Sequence, residues 1–310
     1  MTGSRVELGI GSDTLGAVAR QFVASRDAYR RRPAWRSRKK GNLGWVPLNA
    51  ARAFKIDEDH GAVVLLGRLF RLWFSRPLER RIKTAAFCED GRGRWYFNVQ
   101  LEVAKAPAKD GPSVGVDLGL HHLAALSDGR KVKMPAFYRR HEKQLALTQQ
   151  RGQKRRATAL DATVRNCRRY FLHQQSTRLV REHGRIVVGD VNAFGCLAER
   201  RMAKSVLDAG WSLFREMPRY KALRYGAFFA VINEAFSTQV CSECKSIGGP
   251  KGIPDLGIRQ WACSGCGALH DRDVNAARNL LVFAGAERRP LGGEIPVLKG
   301  REDVNFRDST

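Results

Sequence analysis

The sequence predicts an α/β protein with a β-rich module at its N-terminal end and a small cysteine-centred module near its C-terminal end. Three observations predict it. Between about residues 113 and 281, apolar runs of strand length alternate with longer stretches rich in Gln, Arg, Ala and Leu. Residues 80–103 hold two strand-like runs around a glycine-containing turn. Cys241-x2-Cys244 and Cys263-x2-Cys266 stand eighteen residues apart, a loop length of four-cysteine zinc sites.

Composition bounds the rest. A chain of 310 residues with 43% apolar content can bury a sizeable core. Its 55 Lys and Arg against 30 Asp and Glu leave a net charge of +25, which suits a polyanion partner because each phosphate contact releases condensed counterions. No apolar run reaches the roughly 18–20 residues a membrane span needs, and the positive charge is spread along the chain rather than gathered on one amphipathic helix. Membrane partners are therefore not expected. Seven cysteines and no apolar leader fit a reducing compartment, so the expected location is cytoplasmic and nucleoid-associated.

In the N-terminal third, cations alternate with aromatic rings: Arg30–Lys40, then Trp45, then Arg68–Phe74. Arg36, Arg38, Lys39 and Lys40 make a phosphate-binding face, and flat rings suit bases. Arg80–Phe87 and Trp95–Val103 read as a hairpin closed at Asp90–Gly93. Residues 104–112 combine Pro, Gly and charge and read as a linker, which sets a boundary near 110.

Beyond it, Ser113–Leu120 and Leu123–Gly129 form a second hairpin, with Asp117 where the first apolar strand runs out. Residues 138–182 read as two helices broken near Gly152, with Val164, Cys167, Phe171 and Val180 on one apolar face. Arg185–Val191 reads as a buried strand, a helical stretch follows through Trp211, Phe214 and Tyr220, and Ala227–Glu234 reads as another strand. Strand, helix and strand of these lengths predict a right-handed parallel crossover.

The four cysteines read as one zinc site rather than two disulfides, on spacing and compartment. Cys88, Cys167 and Cys196 lack close cysteine partners and read as small buried hydrophobes. His270–Asn279 then opens a helix, where Asp271 reads as the cap and Asp273 as a first-turn acid favoured by the helix dipole. Residues 286–310 read as a flexible tail.

Four segments carry a resemblance to a known family. Gly115-Val116-Asp117-Leu118-Gly119, Ile186-Val187-Val188-Gly189-Asp190, Ser237–Cys244 and Asp271–Ala277 resemble, in order and spacing, the first and second RuvC motifs, the zinc module and the third RuvC motif of the TnpB/OrfB family of transposon-encoded RNA-guided nucleases, relatives of type V CRISPR effectors. The resemblance implies an RNase H-like RuvC nuclease domain, an inserted four-cysteine zinc module and an N-terminal wedge with an OB-like barrel. The implied divisions are 1–110 for the wedge, 111–238 for the first part of the nuclease, 239–270 for the zinc module, 271–285 for the last nuclease helix and 286–310 for the tail. With about 116 residues before Asp117, a reduced recognition lobe is expected.

The family's chemistry implies two Mg2+ ions held by three acids, which hydrolyse DNA to 5′-phosphate and 3′-hydroxyl ends, and a guide RNA that reads the target by base pairing. Arg36, Arg38, Lys39 and Lys40 would grip the guide. Asp117 and Asp273 match two of the acids, but the family's second motif supplies a glutamate where this chain has Gly189. Three readings remain open. Glu234, 234 − 189 = 45 positions later at the end of the neighbouring strand, can replace it, as some relatives of the family show. Asp190 can serve, although it faces the opposite side of a regular strand. Or the site is dead and the protein is a nuclease-inactive, RNA-guided DNA-binding regulator. The expected set is Asp117, Glu234 and Asp273 for magnesium, and Cys241, Cys244, Cys263 and Cys266 for zinc. A DNA-joining transposase is a weaker alternative, because no tyrosine or serine nucleophile constellation is evident.

Overall fold

The computed structural model describes residues 11–34, 43–48, 54–74, 77–78, 81–119, 121–191, 210–252 and 254–286. The chain divides into two compact units. The first takes the described residues up to Pro107 together with Pro135–Ser176 and Leu223–Gly226, and the second takes Ala108–Met134, Thr177–Ala222 and the described residues from Ala227 on.

The first unit opens with a helix that the sequence reading did not anticipate, α1 (Ser12–Tyr29). Its Thr14 hydroxyl donates to the Pro47 carbonyl at 2.9 Å, which ties it to strand β1 (Trp45–Leu48). Strands β2 (Phe54–Asp57), β3 (Ala62–Leu65) and β4 (Arg68–Arg71) form one antiparallel sheet. Strands β5 (Ile82–Glu89) and β6 (Trp95–Leu101) pair with each other and with β1 in a second. The expected hairpin at 80–103 is this β5–β6 pair. Leu48, Phe54, Val63 and Ala85 share one core across the two sheets, and Phe97 packs against it, meeting Phe54 edge-on at 5.4 Å and Phe87 at a tilt at 4.8 Å between ring centres. Two helices also belong here, α2 (Phe137–Gln150) and α3 (Lys154–Glu182), which runs on into the second unit. They part at Gly152, whose φ of +64° suits a residue without a side chain.

One expectation for α3 needs correcting. Its buried seam runs through Ala157, Val164, Leu172, Leu179 and Val180, whereas Cys167 is exposed. The seam passes Leu172 instead, so Cys167 is not a buried hydrophobe. Cys88 is half-buried on β5, and Cys196 lies outside the described residues.

The second unit is built on a five-stranded mixed sheet. Its strands are β7 (Ser113–Leu118), β8 (Ala124–Leu126), β9 (Lys131–Val132), β10 (Arg185–Gly189) and, after helix α4 (Trp211–Tyr225), β11 (Phe228–Ile232). The spatial order is β11-β10-β7-β8-β9. β7, β8 and β9 form an antiparallel meander, while β10 runs parallel to both β7 and β11. The expected parallel pairing of residues 185–191 with 227–234 is therefore present. Both faces of the central strands are buried, which explains their continuous apolar runs: Val114, Val116, Ile186, Val187 and Val188 are at most 1% exposed.

The last strands, β12 (Gln260–Ala262) and β13 (Leu269–Asp271), form a hairpin that leads directly into α5 (Arg272–Ala286). α5 lies on the sheet face that carries Gly115 and Val187. A Cβ at Gly115 would stand 1.9 Å from the Ala277 carbonyl oxygen, so glycine is what lets the helix backbone approach β7. Leu280 fills the contact with Val187 and Ile232 and is fully buried. Burial of that side chain stabilises the unit by about 1.5–3 kcal/mol.

Candidate active site and metal centre

Three acids of the sequence analysis stand where this topology ends its strands. Asp117 is the fifth residue of β7, the middle strand. Val188 of β10 pairs with Val116 in parallel register, so Gly189 is the residue alongside Asp117, and parallel neighbours in register point to one face. Gly189 in turn pairs with Ile232 of β11, and Glu234 follows two residues later. A Cβ built on Gly189 would lie 3.1 Å from Glu234 Oε2 and 3.3 Å from Glu234 Cβ. The glutamate side chain thus occupies the space that the glycine leaves open beside Asp117. Asp273 arrives from the other direction, in the first turn of α5, capped by Asp271 Oδ1, which accepts from Val274 N at 3.1 Å.

The electrostatics follow from this gathering. Withdrawal from water, and then the charges of Glu234 and Asp273, hold the Asp117 carboxyl well above the usual carboxylate range, while Arg272 pulls the other way. Glu234 is also raised, by burial and then by Asp190, and Arg215 opposes the shift. Asp190 is not packed with the others: it is exposed and forms an ion pair with Arg215 of α4. Arg259 reaches Asp273 at 3.4 Å. Repulsion between half-buried acids is what a bound cation relieves.

The cysteines make a tighter group. Among the described residues, Cys241, Cys244, Cys263 and Cys266 are the group of metal-ligating side chains that converges, with ligand atoms all within 4.8 Å of one another; the three carboxylates do not form a second such group. Cys241 and Cys266 sulfurs are 3.7 Å apart and those of Cys244 and Cys263 3.6 Å. Four thiolates at 2.3 Å from a tetrahedral zinc stand about 3.8 Å apart, so the cluster fits that ion. Each pair sits on a similar knuckle. Cys241 N donates to Ser246 O and Lys245 N to Cys241 O; Cys263 N donates to Ala268 O and Gly267 N to Cys263 O. The turn needs a left-handed residue, and Lys245 (φ +68°) and Gly267 (φ +73°) provide it. The Ser246 hydroxyl, 3.1 Å from the Cys263 sulfur, draws that thiol down to about 6. His270 Nε2 lies 3.0 Å from Cys241 Sγ, a contact that the sequence did not disclose.

Other neighbours were also missed. His121 and His122, at the β7–β8 turn, bring their Nδ1 atoms to 3.1 Å. Burial, His121 and Lys131 lower the His122 pKa against the pull of Asp273 and Asp271. Arg36, Arg38, Lys39 and Lys40 lie outside the described residues.

Two family models match this chain. The OrfB_IS605 model, "Probable transposase", covers residues 96–198, and the "Cas12f1-like, TNB domain" model covers 211–280. A protein of Streptomyces pristinaespiralis is 33% identical over 84% of this chain and 66% of its own length, and InsQ of Escherichia coli (strain K12) is 27% identical over 83% and 70%. Both carry the name "Putative RNA-guided DNA endonuclease". The chain belongs to the TnpB/OrfB family. It spans about two thirds of the length of these two relatives. Among solved structures, the Cas12f1 chain of a Cas12f1–sgRNA–target DNA complex aligns at a TM-score of 0.43 with 14% identity, over 77% of this TnpB/OrfB chain and 66% of that one. No described helix of this family member is long and apolar enough to cross a membrane.

Proposed function

We propose that this chain is an RNA-guided DNA endonuclease in which Asp117, Glu234 and Asp273 hold catalytic Mg2+ and the four cysteines hold a structural zinc. The observation that carries the reading is the Glu234 side chain over Gly189, on the Asp117 side of the sheet. The sheet order, an antiparallel meander followed by two parallel strands, supports the RuvC-like nuclease core that the family resemblance implies. The net charge and the relatives' names support a guide RNA and target DNA as partners, with Arg36, Arg38, Lys39 and Lys40 on the guide.

When bound, a pair of Mg2+ ions about 3.5–4 Å apart supplies the charge that activates water and stabilises the leaving oxygen. The chain's residues have separate tasks. Asp117, central in the sheet, would hold the metal together with Glu234 and Asp273, which flank it from β11 and α5. The ion pair of Asp190 with Arg215 supports Glu234 as the acid of that flank.

Cleavage of guide-matched DNA in Mg2+ by wild type, Asp117→Ala and Glu234→Ala tests this. Both variants should lose activity by about 100-fold or more, in the range seen when one group at a charged transition state is removed. Unchanged cutting by Glu234→Ala would remove the site assignment. Guide and target binding with no cutting by wild type would instead favour the nuclease-inactive regulator.

A further inference from the structure

Two asparagines stand one turn apart on the buried side of α5, Asn275 at 1% and Asn279 at 0% exposure. Both aim Nδ2 at the same two carbonyls. Asn275 donates to Ser237 O at 3.3 Å and Val240 O at 2.8 Å, and Asn279 to the same oxygens at 2.9 and 2.6 Å. Asn275 Oδ1 also accepts from Ser242 N at 2.8 Å.

The gripped segment joins two sites. Upstream, Ser237 N donates to the Glu234 carbonyl at 3.0 Å, and downstream Val240 and Ser242 bracket Cys241, the first thiol of the first knuckle. The helix that does the gripping carries Asp273 two residues before Asn275. One pair of amides therefore fixes the Glu234 strand end, the entry to the zinc knuckle and the Asp273 helix against one another. Carboxylates that repel one another separate unless their backbones are held, and an ordered knuckle is what holds residues 240–242 for the amides to grasp.

We propose that Asn275 and Asn279 are positioning residues that transmit the order of the zinc knuckle to the spacing between Glu234 and Asp273, so that zinc occupancy and divalent-ion binding at the carboxylates are coupled. The identity of the carboxylate site rests on the nuclease reading above. By linkage, zinc tightens the carboxylate site by the same factor by which an ion there tightens zinc.

The test measures Mn2+ binding to the full chain by the electron paramagnetic resonance of free Mn2+, with zinc loaded and with zinc removed. Loading should tighten Mn2+ in wild type roughly tenfold, within the ordinary range of coupling between sites. In Asn275→Ala/Asn279→Ala the ratio should fall to about one while the protein still takes up one zinc. Should the double variant fail to bind zinc, Asn279→Ala alone decides, because Asn275 still reaches both carbonyls; its ratio should be intermediate. A ratio near one in wild type, or an unchanged ratio in the variant that retains zinc, overturns the proposal while leaving the nuclease reading intact. Mn2+ binding that Asp117→Ala does not weaken overturns both.

Discussion

Four thiols and three carboxylates each bring acidic groups together from distant parts of the second unit, but they are assembled from different lengths of chain. The thiols come from two knuckles, each closed by its own backbone hydrogen bonds within about six residues. The carboxylates come from β7, the end of β11 and the start of α5, between residues 117 and 273, and only the assembled sheet sets their spacing. A knuckle fixes ligand geometry locally, so its spacing is written in the sequence. A sheet edge fixes only which strand ends are neighbours, so an acid can move from one strand to the next and still reach the same place.

The comparison breaks most visibly when zinc is withdrawn. A structural zinc contributes its binding free energy to folding, an apparent value of about 10–16 kcal/mol in isolated zinc-finger peptides. Metal analysis should find one zinc per chain, and Cys263→Ser should abolish it. Hydrogen exchange should then show residues 240–270 losing protection while β7 and β10 keep theirs. Equal loss in the sheet would mean that the thiols are not a local device.

The next largest effect tests whether the carboxylate can travel. Gly189→Glu/Glu234→Ala returns the acid to β10 and vacates the space it needs. Cleavage should recover at least roughly tenfold over Glu234→Ala, with effects far from additive because the residues act as a unit. Gly189→Glu alone places a second side chain 3.1–3.3 Å from Glu234 atoms and should lower activity instead. No recovery in the double variant would mean that Glu234 does not stand in for a β10 acid.

How much was legible follows the same division. The knuckles, the β5–β6 hairpin, the α2–α3 break at Gly152 and the parallel β10–β11 pair all have short-range signals: cysteine spacing, turn residues, a glycine stop and apolar runs. The position of Glu234 could be read only because a glycine stood where an acid was expected. The short strands β1–β4 could not be read, since four residues give too little periodicity and all of β4 is exposed. α1 buries just Thr14 and Ala17, so its sequence carries no clear apolar stripe. The asparagine grip on Ser237 and Val240 joins residues 35–42 positions apart and had no local trace.

The smallest effect is the stability cost of the gathered acids. Asp117 and Glu234 have folded-state pKa values raised above their unfolded ones. Between those two values the native chain holds protons that the unfolded chain has released, so stability falls as pH rises through that window. The window opens near the ordinary carboxylate range and extends upward, furthest for Asp117. In zinc-loaded protein without Mg2+, the melting temperature should therefore decline as pH rises above the ordinary carboxylate range, and added Mg2+ should restore it most once the acids are ionised and can bind. Asp117→Asn keeps the shape and removes the charge. It should flatten the slope and raise the Mg2+-free melting temperature above that range, at about 2–4 °C for each kcal/mol of repulsion relieved. The zinc thiols add their own pH dependence, but they are the same in both proteins, so the difference between wild type and Asp117→Asn isolates the carboxylates. Parallel slopes in the two would place the strained acid elsewhere than at the centre of the sheet.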